Sequence, residues 1–151
     1  MSLGLYIHIP FCRKRCSYCD FYLTTNLKLT EPFVKSINKE IKIYSQIYKD
    51  EIIDTIFFGG GTPSALTTDE LSNILYQISD CFNVSKTPEI TIECNPEDVI
   101  EDKNKFMNIS KMGINRISLG VQSFIDEELI FLTRNHNSTE AEESIKTINY
   151  L

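Results

Sequence analysis

The spacing of hydrophobic and polar residues switches repeatedly between a period of two and a period of three to four, which predicts alternating strands and helices. Apolar and polar positions alternate over Leu5 to Ile9, a first strand. Phe33, Ile37, Ile41, Tyr44 and Tyr48 then recur at helical steps, with Pro32 in a first-turn position, and predict a helix over 32–48. A second strand is expected from Ile52 to Phe58, ending in Gly59-Gly60-Gly61-Thr62-Pro63. The next helix starts at Thr67, where Glu70 completes a capping-box pattern, and buries Leu71, Ile74, Leu75, Ile78 and Phe82. A third strand over Glu89 to Cys94 leads to a helix from Asp102 to Met112, stopped by Gly113, and to a fourth strand over Arg116 to Val121. A short helical turn at Asp126 to Leu132 and a last helix from Thr139 complete the pattern. Such alternation implies an α/β fold with a parallel sheet.

Strands of an ordinary parallel sheet are buried on both faces and read as continuous apolar runs. These strands are two-faced instead. Leu5, Ile7 and Ile9 share one side against Tyr6 and His8; Ile90 and Ile92 oppose Glu89, Thr91 and Glu93; Ile117, Leu119 and Val121 oppose Arg116, Ser118 and Gln122. With helices on the apolar side, the polar side faces a wet or occupied space, as in a curved sheet around a ligand cavity. Ligands in such folds sit at the C-terminal strand ends. A cysteine run after strand one, the glycine run after strand two, Glu93 and Gln122 all fall at that rim.

The cysteine run is Cys12, Cys16 and Cys19, a C-x3-C-x2-C pattern. Iron–sulfur cubanes are normally held by four cysteine thiolates, so three local ligands leave one iron open to an exchangeable group. Five cysteines, three of them within eight positions, fit reduced metal-binding thiols better than a disulfide framework. Cys81 and Cys94 read as buried structural thiols. A Cys3His zinc site with His8 as fourth ligand competes, although His8 lies on a strand and zinc leaves the glycine run unexplained. That run lacks the lysine of a phosphate loop, but residues without Cβ let a ligand approach the backbone closely. Glu93 and Gln122 gain weight only by sharing the rim, and His136 reads by default as a surface histidine.

Composition narrows the partners. The 151 residues amount to about one domain, and 15 basic against 21 acidic residues give a net charge of −6, which argues against nucleic acid. The one basic cluster, Arg13, Lys14 and Arg15, lies inside the cysteine loop, either solvated or placed to lower thiol pKa values or meet an acidic partner. No apolar run approaches the ~20 residues of a membrane span, and the first strand begins too near Met1 for a signal peptide. A cytoplasmic protein is expected.

The stretches Leu5-Tyr-Ile-His-Ile-Pro-Phe-Cys12, Cys16-Ser-Tyr-Cys19-Asp20-Phe21, Phe58-Gly-Gly-Gly-Thr-Pro-Ser64, Glu93-Cys-Asn-Pro-Glu97, Asn115-Arg-Ile-Ser-Leu-Gly-Val-Gln-Ser-Phe124 and Leu132-x-Arg134-x-His136 span nearly the whole chain. In this order they resemble the radical S-adenosylmethionine (SAM) superfamily, in the oxygen-independent coproporphyrinogen III oxidase-like branch that contains the HemW-type heme chaperones. The resemblance implies the N-terminal portion of a partial (β/α) barrel with parallel strands. It implies a [4Fe-4S] cluster on Cys12, Cys16 and Cys19, with SAM chelating the fourth iron. Tyr6, Tyr18, Gly60, Gly61, Thr62, Glu93, Gln122 and Arg134 match cofactor-contacting positions, and no residue is assigned a catalytic role. In active members of the superfamily, an electron from the cluster cleaves SAM to methionine and a 5′-deoxyadenosyl radical.

Within this branch the oxidase, which converts coproporphyrinogen III to protoporphyrinogen IX, carries a further cysteine two positions after the third cluster cysteine and a segment ahead of the first strand. Here Phe21 takes that position and the strand begins almost at Met1. Both departures favour the chaperone-type members, expected to bind heme and pass it to acceptor proteins, with an electron donor where radical chemistry occurs. The oxidase is the alternative, and an inactive cluster- or zinc-binding fragment the second alternative. Family members are longer and bear a C-terminal His-Asn-x-x-Tyr-Trp stretch, whereas this chain has no Trp. Residues 1–151 are thus expected to be the N-terminal βα units alone, a truncated radical SAM core without the second barrel half or the C-terminal region. Strand four would then keep an open edge, liable to pair with other chains.

Overall fold

A computed structural model describes residues 2–150. Four parallel strands, β1 (Ser2–Ile9), β2 (Ile52–Gly60), β3 (Asn83–Cys94) and β4 (Arg116–Leu119), lie side by side in sequence order. Strand order without reversal, each link carrying a helix, is barrel-type winding rather than the doubly wound kind, whose order reverses at a switch point. The linking helices are α1 (Thr30–Ile47), α2 (Thr68–Cys81), and the pair α3 (Pro96–Glu101) and α4 (Lys103–Lys111). Two more, α5 (Asp126–Phe131) and α6 (Ser138–Asn149), follow β4.

The core lies between the sheet and the helices, where Ile7, Ile9, Ile53, Ile56, Phe58, Ile90 and Ile92 meet Val34, Ile41, Leu71, Ile74, Ile78, Phe106 and Ile109. The opposite face carries Tyr6, His8, Phe57, Thr91 and Glu93, with Tyr6 stacked on Phe57 at 6.0 Å. The two-sided pattern of the strands therefore separates a helix-covered face from a polar one. One irregularity breaks the alternation: the register shifts around Asp54, so Ile53 and Ile56, three positions apart, both point to the helices. Such a bulge adds a residue and sharpens the local bend.

Several boundaries differ from expectation. β3 begins at Asn83 rather than Glu89, because Asn83 and Val84 pair with Ile52 and Ile53 ahead of a polar stretch and Pro88. β4 stops at Leu119 because the following backbone turns: Val121 N–H donates to Leu119 O, Ser123 N–H donates to Val121 O, and Gln122 adopts φ +69°. α3 is an unexpected helix. Asn95 caps it, Pro96 takes the first turn, and Asp98 accepts from the Asn95 N–H. The expected capping box of α2 is present, formed by Thr67 and Glu70, and Asp102, expected inside the next helix, instead caps α4 through Lys105 N–H. Among the described residues no helix is long and apolar enough to cross a membrane.

Candidate functional site: a cysteine-lined cavity at the sheet rim

The cysteine loop leaves β1 at Pro10 and is closed at its base by backbone pairing. Thr24 N–H donates to Pro10 O at 2.7 Å and Cys12 N–H to Thr24 O at 3.0 Å. On the other side Gly61 N–H donates to Ile9 O and Thr62 N–H to Phe11 O, extending the β1–β2 ladder past both strand ends. Cys12 is thereby held, 8% exposed, beside the glycine run. Gly61 makes this possible: a Cβ there would stand 2.7 Å from Phe11 O and 3.0 Å from Cys12 Sγ. Cys16 and Cys19 lie at the ends of a tight turn in which Cys19 N–H donates to Cys16 O at 3.2 Å.

The three cysteines line one cavity of about 320 Å³ at the C-terminal strand ends. Tyr18, Gly60, Gly61, Thr62, Glu93, Gln122 and Arg134 line it too, so seven of the eight expected cofactor positions share one wall with the thiols. Tyr6 is on the polar face as parity predicts, but outside this lining; its hydroxyl lies 3.2 Å from His8 Nδ1. His8 is also outside it, its ring beside Gly60. Among the described residues no three His, Cys, Asp or Glu side chains gather closely enough to hold a single ion.

Hydrogen bonds organise the wall. Glu93 accepts the Gly60 N–H at 3.0 Å, holding that glycine at φ +116°, a conformation side chains resist. Arg134 donates to Asn95 Oδ1 at 2.7 Å and Gly120 O at 2.8 Å, and reaches Cys16 Sγ and the Tyr18 hydroxyl at 3.4 Å. Asn95 in turn donates to Thr62 Oγ1, which donates to Cys12 Sγ at 3.3 Å. A polar chain thus connects Arg134 to the first cysteine, while Arg134 Nε is buried with no partner of its own.

Burial pushes the Cys12 thiol up, aided by Cys19, Cys16 and Asp98, against a lowering hydrogen bond from Thr62. The basic cluster therefore leaves Cys12 raised. Arg13, which lines the cavity, is paired with Asp98 and Glu101, and Arg15 donates to Cys19 O. The Tyr18 phenol is pushed up, first by burial, although Arg134 opposes it. Glu97 would be raised by burial, but His136, its own backbone N–H and the charge of Arg134 bring it below the usual range.

Two default readings are corrected. His136 is 4% exposed, not on the surface, with its ring nitrogens facing Glu97 Oε2 and Val121 O. Cys81 is half-buried and bonded to Gln77 Nε2, whereas Cys94 is buried and its thiol pushed up by desolvation. Gln122 enters the cavity from a left-handed turn, not from a strand face. Asn95, Glu97, Gly120 and Thr133 are among the other lining residues and were not singled out as site residues. The available signal is Asn95 directly before Pro96, an N-cap pattern that would place Glu97 in a first turn; Thr133 has no sequence signal.

These residues fit an iron–sulfur group better than a lone ion. The three thiols line one cavity without gathering around a single point, and the cradle beside Cys12 exists because residue 61 lacks a Cβ. The Arg134 guanidinium, which reaches Cys16 Sγ, puts a positive charge beside the thiols, as suits an anionic cofactor group.

An all-parallel, singly wound sheet with a thiol-lined cavity at its C-terminal rim is the architecture of a cluster-binding partial barrel. Residues 6–151 match the Radical SAM superfamily, and the chain belongs to that family. It is 40% identical over 152 residues to the heme chaperone HemW of Buchnera aphidicola subsp. Schizaphis graminum, covering 97% of this chain and 40% of that protein. Against the heme chaperone HemW of Escherichia coli K12 the identity is 37%, covering 95% and 38% respectively. The solved structure of the radical SAM enzyme coproporphyrinogen III oxidase (HemN) from Escherichia coli superposes with a TM-score of 0.88 at 25% identity, covering 97% of this chain and 34% of that one. The chain thus spans about 40% of the first relative's length.

Proposed function

We propose that this chain is the cluster-binding part of a cytoplasmic heme chaperone, its residues 1–151 forming the N-terminal βα units of the radical SAM core. In this reading Cys12, Cys16 and Cys19 hold a [4Fe-4S] cluster, and SAM occupies the remaining iron position. Tyr18, Gly60, Gly61, Thr62, Gln122 and Arg134 surround the SAM, and Glu93 holds the glycine backbone for it. Tyr6 supports the same face from below the rim. When bound, the cluster supplies one-electron chemistry toward SAM. The protein's own part is to seat Cys12 against Gly61, to order the loop through Arg134, and to keep the rim polar.

The observation that carries the reading is the convergence of the three thiols, the glycine run and Arg134 on one cavity. The HemW relatives, at 35–40% identity over most of the chain, support heme as the cargo and heme-acceptor proteins as partners. Likeness to the HemN structure makes porphyrinogen decarboxylation the second reading.

Anaerobic reconstitution tests the cluster: the chain is expected to take up four irons and four sulfides per copy, as the cubane formula requires. Replacing Cys12, Cys16 and Cys19 by alanine should abolish uptake, while Cys81→Ser should not. Zinc retention in place of iron would overturn the reading. In the full-length protein, heme binding without turnover of coproporphyrinogen separates chaperone from oxidase.

A further inference from the structure

We propose that His136 is a positioning residue that clamps the Val121 carbonyl and so holds Gln122 in the left-handed turn that delivers its amide to the cavity. The inference rests on the reading above that this cavity takes SAM.

Gln122 has φ +69°, a conformation that non-glycine residues adopt at a cost and keep only where the surroundings over-determine it. The restraint is visible. Val121 O accepts from Ser123 N–H at 2.9 Å and also faces His136 Nε2 at 3.0 Å, so one carbonyl is gripped from inside its own turn and from the segment leading into α6. The His136 side chain is fully buried, and its other nitrogen lies 3.2 Å from Glu97 Oε2. Both partners are acceptors, so whichever ring nitrogen carries a proton donates to the partner it faces. Glu97 sits in the first turn of α3, which itself packs against α6. The ring therefore has one orientation, set by a carboxylate on a separate helix.

The clamp has a consequence for the cavity. Gln122 Nε2 lies 3.5 Å from where a Cβ on Gly120 would stand, and Gly120 O accepts from Arg134. The amide is thus laid over a bare stretch of backbone next to the guanidinium that touches Cys16. Without the grip on Val121 O, the turn can relax to negative φ, and the amide leaves the wall. None of the cysteines touches His136, so cluster retention and SAM affinity should respond differently.

The test uses the 151-residue chain, reconstituted without oxygen. SAM dissociation constants come from equilibrium dialysis, and cluster content from iron and sulfide analysis. His136→Ala should weaken SAM binding about tenfold, the scale of one hydrogen bond involving a charged group, with cluster content unchanged. His136→Gln, whose amide can still donate to Val121 O, should restore most of the affinity. Gln122→Ala should weaken binding similarly, and the double variant should bind no worse than Gln122→Ala alone, since both changes remove one device. Additive losses, undiminished affinity in His136→Ala, or loss of cluster in parallel with affinity would each overturn the clamp. If the unsubstituted chain holds a full cluster but binds no SAM, the cofactor reading itself falls and takes the clamp with it.

Discussion

Glu97 shows how much one side chain can depend on its neighbours. Burial alone would raise its carboxyl, yet His136, a backbone N–H and the Arg134 charge lower it, so the ionised form is the one the fold favours. Its folded pKa lies below the unfolded value. Glu97 therefore contributes stability that is complete above the unfolded value of about 4.3 and is lost as the pH falls through the folded one. Glu97→Gln should lower the urea midpoint at pH 7 and flatten its decline between about pH 5 and 3; an unchanged acid slope would rule out this role. Cys12 runs the other way. Burial, with Cys19, Cys16 and Asp98, pushes its thiol up against the lowering hydrogen bond from Thr62.

At the scale of elements, the site depends on how three loops are tied together behind it. Asp98, in α3, accepts from Ser64 Oγ at 2.6 Å and from Asn95 N–H at 3.2 Å, and it faces Arg13 Nε at 3.4 Å. Lys105 of α4 donates to Ser64 O and Leu66 O. The cysteine loop, the loop after β2 and the start of α3 are thus joined by one buried carboxylate. Asp98→Ala should cost about 3 kcal/mol in urea denaturation, because Ser64 and Arg13 lose a buried charged partner. Arg13→Ala, with its side chain partly in water, should cost less. A second tie comes from the end of α5, where Ser17 N–H donates to Thr133 Oγ1 at 2.9 Å and Ser17 Oγ to Phe131 O. These ties join residues up to 116 positions apart and carry no local sequence signature, unlike the capping box at Thr67.

The whole molecule is a sheet with one helix-covered face and one polar face. Among the described residues β4 pairs with β3 alone. In the segment that follows β4 in sequence, Ile130 and Phe131 are 75% and 81% exposed, and Phe124 and Ile125 are more than half exposed. Large exposed apolar groups favour association, as does an unpaired strand edge. The 151-residue chain by itself should self-associate with rising concentration in sedimentation velocity, and Phe131→Glu should shift it toward monomer; a monomer at all concentrations would refute the argument. What the order of residues determined by itself was the βα alternation, the two-faced strands and the gathering of cysteines and glycines at one rim, because these follow from periods of two and 3.6 and from local turn chemistry. Tertiary structure alone decided that His136 is buried, that Gln122 arrives through a left-handed turn, that Tyr6 stands outside the cavity, and that Asp98 binds three loops. Each of these depends on contacts between segments far apart in the chain, whose partners no local period encodes.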